Sequence, residues 1–178
     1  FKAVASFRKI SFKTTYGQLT IALLLICIVS GIFLAIPYDV SNAYASVSAM
    51  RIANPVASLF RNLHYWSAQL FLIFTFLHMW DHFKKKEIKL KKSIWLRLSI
   101  GVLIVFLAML TGFLLKGDAD SEQARRILES LTSGIPIVGN LLAYSLLGKE
   151  GSLQLIYVHH IATFTVFIAV IVFEHSRK

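Results

Sequence analysis

The sequence predicts an all-α fold, a transmembrane four-helix bundle, on three observations. The chain has 178 residues, a mean hydropathy of +0.66 and 56% apolar residues with only three prolines, the composition of a helical membrane subunit and not of a soluble domain. Four apolar stretches are long enough to cross a bilayer: about Tyr16 to Ile36, Leu63 to Phe83, Ile94 to Leu115 and Leu153 to Phe173. Two of the four carry matched histidines, His64 and His78 fourteen residues apart and His160 and His175 fifteen apart.

The histidine spacing points to a cofactor. At about 100° and 1.5 Å per residue, fourteen residues fall about 40° short of four turns and rise about 21 Å, while fifteen overshoot by about 60° and rise about 22 Å. Each helix therefore presents two imidazoles on one face, one near each end. If a third helix runs antiparallel between them, His64 comes level with His160 and His78 level with His175. Two imidazoles facing each other at each level suit the iron of a low-spin haem, whereas zinc prefers closer-spaced sets of four ligands. A lone intramembrane histidine is as often a hydrogen-bonded core residue as a ligand, though its cost in lipid already hints at function. Four in two matched pairs favour ligation, so the bundle is expected to bind two haems, non-covalently, with bis-histidine iron. His159 competes with His160, but its spacing to His175 leaves about 160° of rotation error. His82 lies one turn beyond His78 and competes for that site; its rise of about 27 Å from His64 does not match the partner helix, which favours His78.

Charge distribution orients the chain. The net charge of +10 could suggest nucleic acid, but thirteen of the nineteen basic residues gather in three places: the first fifteen residues, the link from Lys84 to Arg97, and the last two positions. With four spans these all fall on one side, which the positive-inside rule makes the cytoplasm. The charge then sets orientation and meets lipid headgroups, no nucleic acid is expected, and both termini are placed on the cytoplasmic side of the cell's inner membrane. One cysteine, Cys27, excludes an internal disulfide and a cysteine-held iron–sulfur cluster, and reads as a buried small hydrophobe. Nothing resembles a cleavable signal.

Taken in order, residues 1–15 alternate basic and apolar groups and read as an amphipathic interfacial segment, and residues 16–178 as the four-helix transmembrane domain. Gly17 and Gly31 stand fourteen apart on the first span, where small residues serve close helix packing or let a flat porphyrin approach the backbone; the match to the histidine spacing favours the porphyrin. Pro37 closes that span, and residues 38–55 read as an outer loop with a short surface helix. Arg61, three residues before His64, is either a snorkelling anchor or the partner of a haem propionate, and the propionate role is favoured. The third span has no histidine but carries Gly101 and Gly112. Residues 116–152 are too polar and irregular to span and read as one or two short outer helices, capped around Ser121.

These residues resemble the N-terminal half of cytochrome b of quinol-oxidising bc-type complexes. The resemblance covers nearly all of the chain from Gly17. It rests on Gly17 and Gly31, the AYASV turn from Ala43 to Val47, Arg61 with His64 and His78, Gly112, the IPIVG stretch from Ile135 to Gly139, and His160 with His175. The fifteen-residue spacing of the last pair is similar to the split, chloroplast-type form. The resemblance implies an outer b haem on His64 and His160, with Arg61 on its propionate and Gly31 and Gly112 against its ring, and an inner b haem on His78 and His175 beside Gly17. It also implies quinol and quinone as substrates, coupled proton translocation, and a dimeric complex. The partners implied are a C-terminal-half cytochrome b subunit and a Rieske-type iron–sulfur protein or c-type cytochrome. Four positions depart from the pattern: Leu98 replaces a glycine, Asp81 an arginine, and LLKGDADSEQARR a Leu-Pro-Trp sequence. The fourth is Thr15, which stands where the chloroplast-type form carries the cysteine of a covalent haem, so no covalent haem is expected.

Two other functions fit the same residues. A di-haem membrane anchor would wire a dehydrogenase or hydrogenase to quinone, and a haem-free transporter or assembly protein would use the histidines as a proton relay.

Overall fold

The computed structural model describes residues 15–84, 92–149 and 151–176, without the side chains of 82, 83, 92–94, 175 and 176. The interfacial segment at 1–14 and most of the basic link lie outside the described residues. Among the described residues every regular element is helical: α1 Tyr16–Ala35, a 3₁₀ turn Val40–Asn42, α2 Ala43–Ile52, α3 Pro55–Lys84, α4 Lys92–Leu114, α5 Ala119–Ser133, α6 Gly139–Leu147, α7 Gln154–Val158, a π turn His159–Phe164 and α8 Thr165–Ser176.

Local chemistry sets the ends. Thr15 opens α1 with a capping box: its hydroxyl accepts from the Gln18 amide while Gln18 Oε1 accepts from the Thr15 amide. α1 ends at Ala35 with Ile36, still helical in its backbone, as C-cap, and Pro37, which has no N–H to donate, cannot carry the helical hydrogen bonds further. The AYASV segment, expected as a turn, is the first half of α2. Asp118, and not Ser121, caps α5; its carboxylate accepts from the Ser121 amide at 3.0 Å, because the N-cap acceptor must lie three residues before the orphan N–H it satisfies.

α1 and α3 pack antiparallel along their length. Phe33 stacks on Phe60 at 4.3 Å near one end and Tyr16 meets Phe74 at 6.3 Å near the other. α4 and the α7–α8 run form a second antiparallel pair, tied by Arg97 to Glu174 at 3.4 Å at one end and by Ala108 to His160 at the other. The two pairs join through Leu24, Phe71, Val105 and Ile168, one buried residue from each long helix. Leu24 lies seven residues from both Gly17 and Gly31, Phe71 seven from both His64 and His78, and Val105 seven from both Leu98 and Gly112. This apolar layer therefore sits midway between the two histidine levels, about 10 Å from each.

The exposure pattern is that of a protein in lipid. Thr20, Ser30, Ser67 and Thr111 are buried, while Leu25, Val29, Ile32, Phe33, Ile73, Leu103, Val166 and Phe167 point outward. Hydroxyl and small side chains at the helix contacts with apolar side chains outside follow from a solvent that is itself apolar. Among the described residues three stretches are long and apolar enough to cross a membrane: Tyr16–Ala35, Trp95–Leu114 and Gln154–Glu174. α3 is not among them. At 30 residues it is about 45 Å long, but polar residues such as His64, Gln69 and His78 lower its hydropathy, and the two histidines are turned toward α1.

A second cluster closes the end of the bundle beyond Gly112, where Leu114, Leu115, Leu147 and Ile156 are buried beneath α5 and α6. Tyr38 locks the loop after α1 onto it, donating to the Leu115 carbonyl at 2.9 Å and stacking on Tyr157 at 5.2 Å. Arg125, only 3% exposed, ties α5 to the turn after α6 by donating to the Lys149 carbonyl at 2.8 Å.

Candidate functional site

The outer histidine pair is held by two copies of one backbone device. On α1 the run Cys27-Ile28-Val29-Ser30-Gly31 faces His64, and on α4 the run Ala108-Met109-Leu110-Thr111-Gly112 faces His160. His64 Nδ1 is 2.8 Å from the Cys27 carbonyl oxygen and His160 Nδ1 is 2.9 Å from the Ala108 carbonyl oxygen. A carbonyl can only accept, so each Nδ1 carries the ring proton and each Nε2 presents a lone pair. That is the tautomer a metal-binding imidazole needs.

The glycine four residues after each carbonyl makes the approach possible. A Cβ on Gly31 would come within 3.0 Å of His64 Cε1, and one on Gly112 within 2.7 Å of His160 Cε1. The imidazoles therefore rest on bare helix backbone, and any larger residue would push them off.

The two rings meet across the bundle, with centroids 6.0 Å apart and planes at 76°. A metal–imidazole bond of about 2 Å puts the ion about 3 Å from the ring centroid, so two imidazoles on opposite sides of one ion stand about 6 Å apart. The observed spacing would let His64 and His160 hold one ion between them. Among the described residues no three His, Cys, Asp or Glu gather into a metal-binding group. An ion between these rings would thus take two ligands from the described chain, which suits an iron whose other four come from a porphyrin.

At the inner level His78 repeats the contact. A Cβ on Gly17 would lie 2.9 Å from His78 Cε1. His175 belongs to α8, but its side chain, like that of the competitor His82, lies outside the described residues. Gly101 packs against Ile171, at 3.5 Å for a Cβ, and not against a histidine.

His159 is directed elsewhere. Its Nε2 donates to, and is 2.9 Å from, the Ser145 carbonyl on α6, and its Nδ1 is 3.1 Å from Thr163 Oγ1. Arg61 is half-buried on α3, one turn before His64, and makes no ion pair among the described residues. Of the outer carboxylates, Asp118 binds Lys116 at 2.7 Å and Glu122 binds Arg126 at 3.4 Å. Partial burial would raise the Asp118 carboxyl, but Lys116 and the Ser121 amide and hydroxyl outweigh it and hold the group below the usual carboxylate range.

Sequence reasoning found the histidines and glycines and missed Cys27, Ser30, Ala108 and Thr111. The signal was present: a hydroxyl residue immediately precedes each outer glycine, and a small residue stands four before it.

The family model described as Cytochrome b/b6/petB matches residues 2–176. The chain belongs to the cytochrome b/b6 family. It is 29% identical over 144 residues to the menaquinol:cytochrome c reductase cytochrome b subunit of Geobacillus thermodenitrificans, an overlap of 78% of this chain and 63% of that one. It is 30% identical over 135 residues to the cytochrome b6 of Heliomicrobium gestii, covering 74% and 63%. Against the cytochrome b of Allochromatium vinosum it is 30% identical over 146 residues, covering 76% and 34%. The chain thus spans less than two thirds of the length of these relatives. Membership of a membrane cytochrome family, with three helices apolar enough to span, makes it a multi-pass membrane protein.

Proposed function

We propose that this chain is the di-haem electron-transfer subunit of a bc-type quinol-oxidising complex, and that it carries electrons across the membrane between quinol and quinone sites, coupled to proton translocation. The facing of His64 and His160 at 6.0 Å, each with Nδ1 tied to a backbone carbonyl, carries the reading. Haem bound there supplies one-electron transfer between ferric and ferrous iron.

In this reading His64 and His160 hold the outer haem and His78 and His175 the inner one, with Gly31, Gly112 and Gly17 leaving room beside the ligands. Arg61 pairs with an outer propionate; a guanidinium suits a carboxylate at the edge of lipid because its forked donors bind both oxygens. The relatives' description as menaquinol:cytochrome c reductase subunits supports quinol as substrate. A C-terminal-half cytochrome b subunit, a Rieske-type iron–sulfur protein or c-type cytochrome, and a dimeric complex belong to the same reading. α3 is the fourth span, with His64 and His78 turned toward α1. The purified complex is expected to contain two non-covalent b haems per copy of this chain, read by haem extraction and by the reduced α-bands of bis-imidazole iron. A chain that binds no haem overturns the proposal in favour of a haem-free transporter. Two haems with a dehydrogenase and no iron–sulfur protein in the complex overturn it in favour of a membrane anchor.

The proposal also fixes topology. Both termini and the link from Lys84 to Arg97 face the cytoplasm, because basic residues concentrate there. Single cysteines introduced into that link should resist an impermeant thiol reagent applied to intact cells and react after permeabilisation. Reaction without permeabilisation would reverse the assignment.

A further inference from the structure

The hydroxyls of Ser30 and Thr111 are both buried, at 2% and 6% exposure, and both sit beside an outer histidine. Ser30 Oγ is 3.5 Å from His64 Nδ1 and Thr111 Oγ1 is 3.2 Å from His160 Nδ1. Neither hydroxyl has a proton to give the ring. Ser30 Oγ donates within α1, with the Ile26 and Cys27 carbonyls at 2.6 and 3.0 Å, and Thr111 Oγ1 donates within α4, with the Leu107 and Ala108 carbonyls at 2.8 and 2.9 Å. What each hydroxyl offers Nδ1–H is therefore an oxygen lone pair, a second acceptor beside the carbonyl. On the α1 side Cys27 Sγ adds a weaker sulfur contact at 3.6 Å; the α4 side has no such contribution.

We propose that Ser30 and Thr111 are positioning residues that hold the outer haem, and not the inner one, at a lowered reduction potential. The inference rests on the di-haem reading above. Two acceptors on one Nδ1–H draw the proton away from the ring and make Nε2 a stronger donor. A stronger donor stabilises ferric over ferrous iron.

The test is a redox titration of the haem-loaded complex, with the two haems followed at their separate α-bands, for Thr111→Val, which keeps the shape, and Ser30→Ala. At fixed ambient potential the ratio of reduced to oxidised outer haem should rise about fivefold for each lost hydrogen bond, with the inner haem unmoved. Low-spin ferric electron paramagnetic resonance should show a shift of the outer signal alone. Thr111→Ser and Ser30→Thr retain a hydroxyl and should leave both readouts as in the unaltered protein. Loss of the outer haem from the Val and Ala variants, with retention in the Ser and Thr variants, also upholds a role for the hydroxyl itself. Unchanged potential and resonance in Thr111→Val and Ser30→Ala, an equal shift of both haems, or haem loss from all four variants overturns the proposal and leaves packing as the role of these residues. Failure of the di-haem reading is distinguishable, since the unaltered complex would then show no pair of haem bands.

Discussion

His160→Ala leaves the complex with the inner haem alone, whereas His159→Ala leaves both. The expectation follows from where two adjacent imidazoles point. His160 faces His64 at 6.0 Å with its Nδ1 proton committed to the Ala108 carbonyl. His159 reaches the Ser145 carbonyl and Thr163, on the other side of the helix. A helix carrying both cannot exchange one for the other without rotating by about 100°, which would drag Phe164 and Ile168 out of their buried sites. Loss of a direct ligand should exceed the 10- to 100-fold loss of affinity typical of the groups that merely support one, so the outer α-band should vanish at ordinary haem concentrations. His64→Ala should do the same from the opposite helix, while His78→Ala and His175→Ala remove the inner band. Retention of both bands in His160→Ala would falsify the ligand assignment and return the site to His159.

The isolated chain is expected not to oxidise quinol, even when loaded with two haems. Oxidising a quinol removes two protons as well as two electrons, so the outer site needs acid–base groups free to accept protons. The candidates on this chain are engaged: Asp118 caps α5 and pairs with Lys116, Glu122 pairs with Arg126, and His159 spends its ring nitrogens on Ser145 and Thr163. Asp120 remains, exposed on the surface turn that opens α5. A second membrane subunit is then expected to complete the pocket, and the polar start of α5, with its mixed charges, is expected to dock it or a soluble partner through matched local charges and not through a long-range field. Haem reduction by a short-chain quinol should be at least about 100-fold slower in the isolated chain than in the complex, the cost typical of losing a general base. Equal rates through the outer haem would sink the idea.

The sequence by itself determined the helical class, the places of the long helices, the histidine levels and the matching glycines. Those features are periodic: a residue's face and height on a helix follow from counting at about 100° and 1.5 Å per residue, and lipid forces the backbone into helices whatever the partners. Even so, the two histidine spacings disagree, at fourteen and fifteen residues. Only the structure reconciles them. The π turn His159–Phe164, with Thr165 Oγ1 donating to the His160 carbonyl at 2.8 Å, takes up one extra residue at the ligand itself. Removing that residue's 100° turns an overshoot of about 60° into a shortfall of about 40°, the same phase as His64 to His78. Ile168, eight residues from His160 and seven from His175, joins the central layer for the same reason.

The tertiary structure alone decided three further things. It set which carbonyl each histidine meets, since a backbone oxygen leaves no mark in a sequence and Cys27 and Ala108 share only their small size. It showed what His159 meets instead of a ligand site, the Ser145 carbonyl and the Thr163 hydroxyl. It also showed α3 packed antiparallel along α1, Phe60 on Phe33 near one end and Phe74 by Tyr16 near the other. In each case the deciding contact lies between residues distant in sequence, His64 with Cys27 and His160 with Ala108, and such contacts exist only once two helices have chosen their common face.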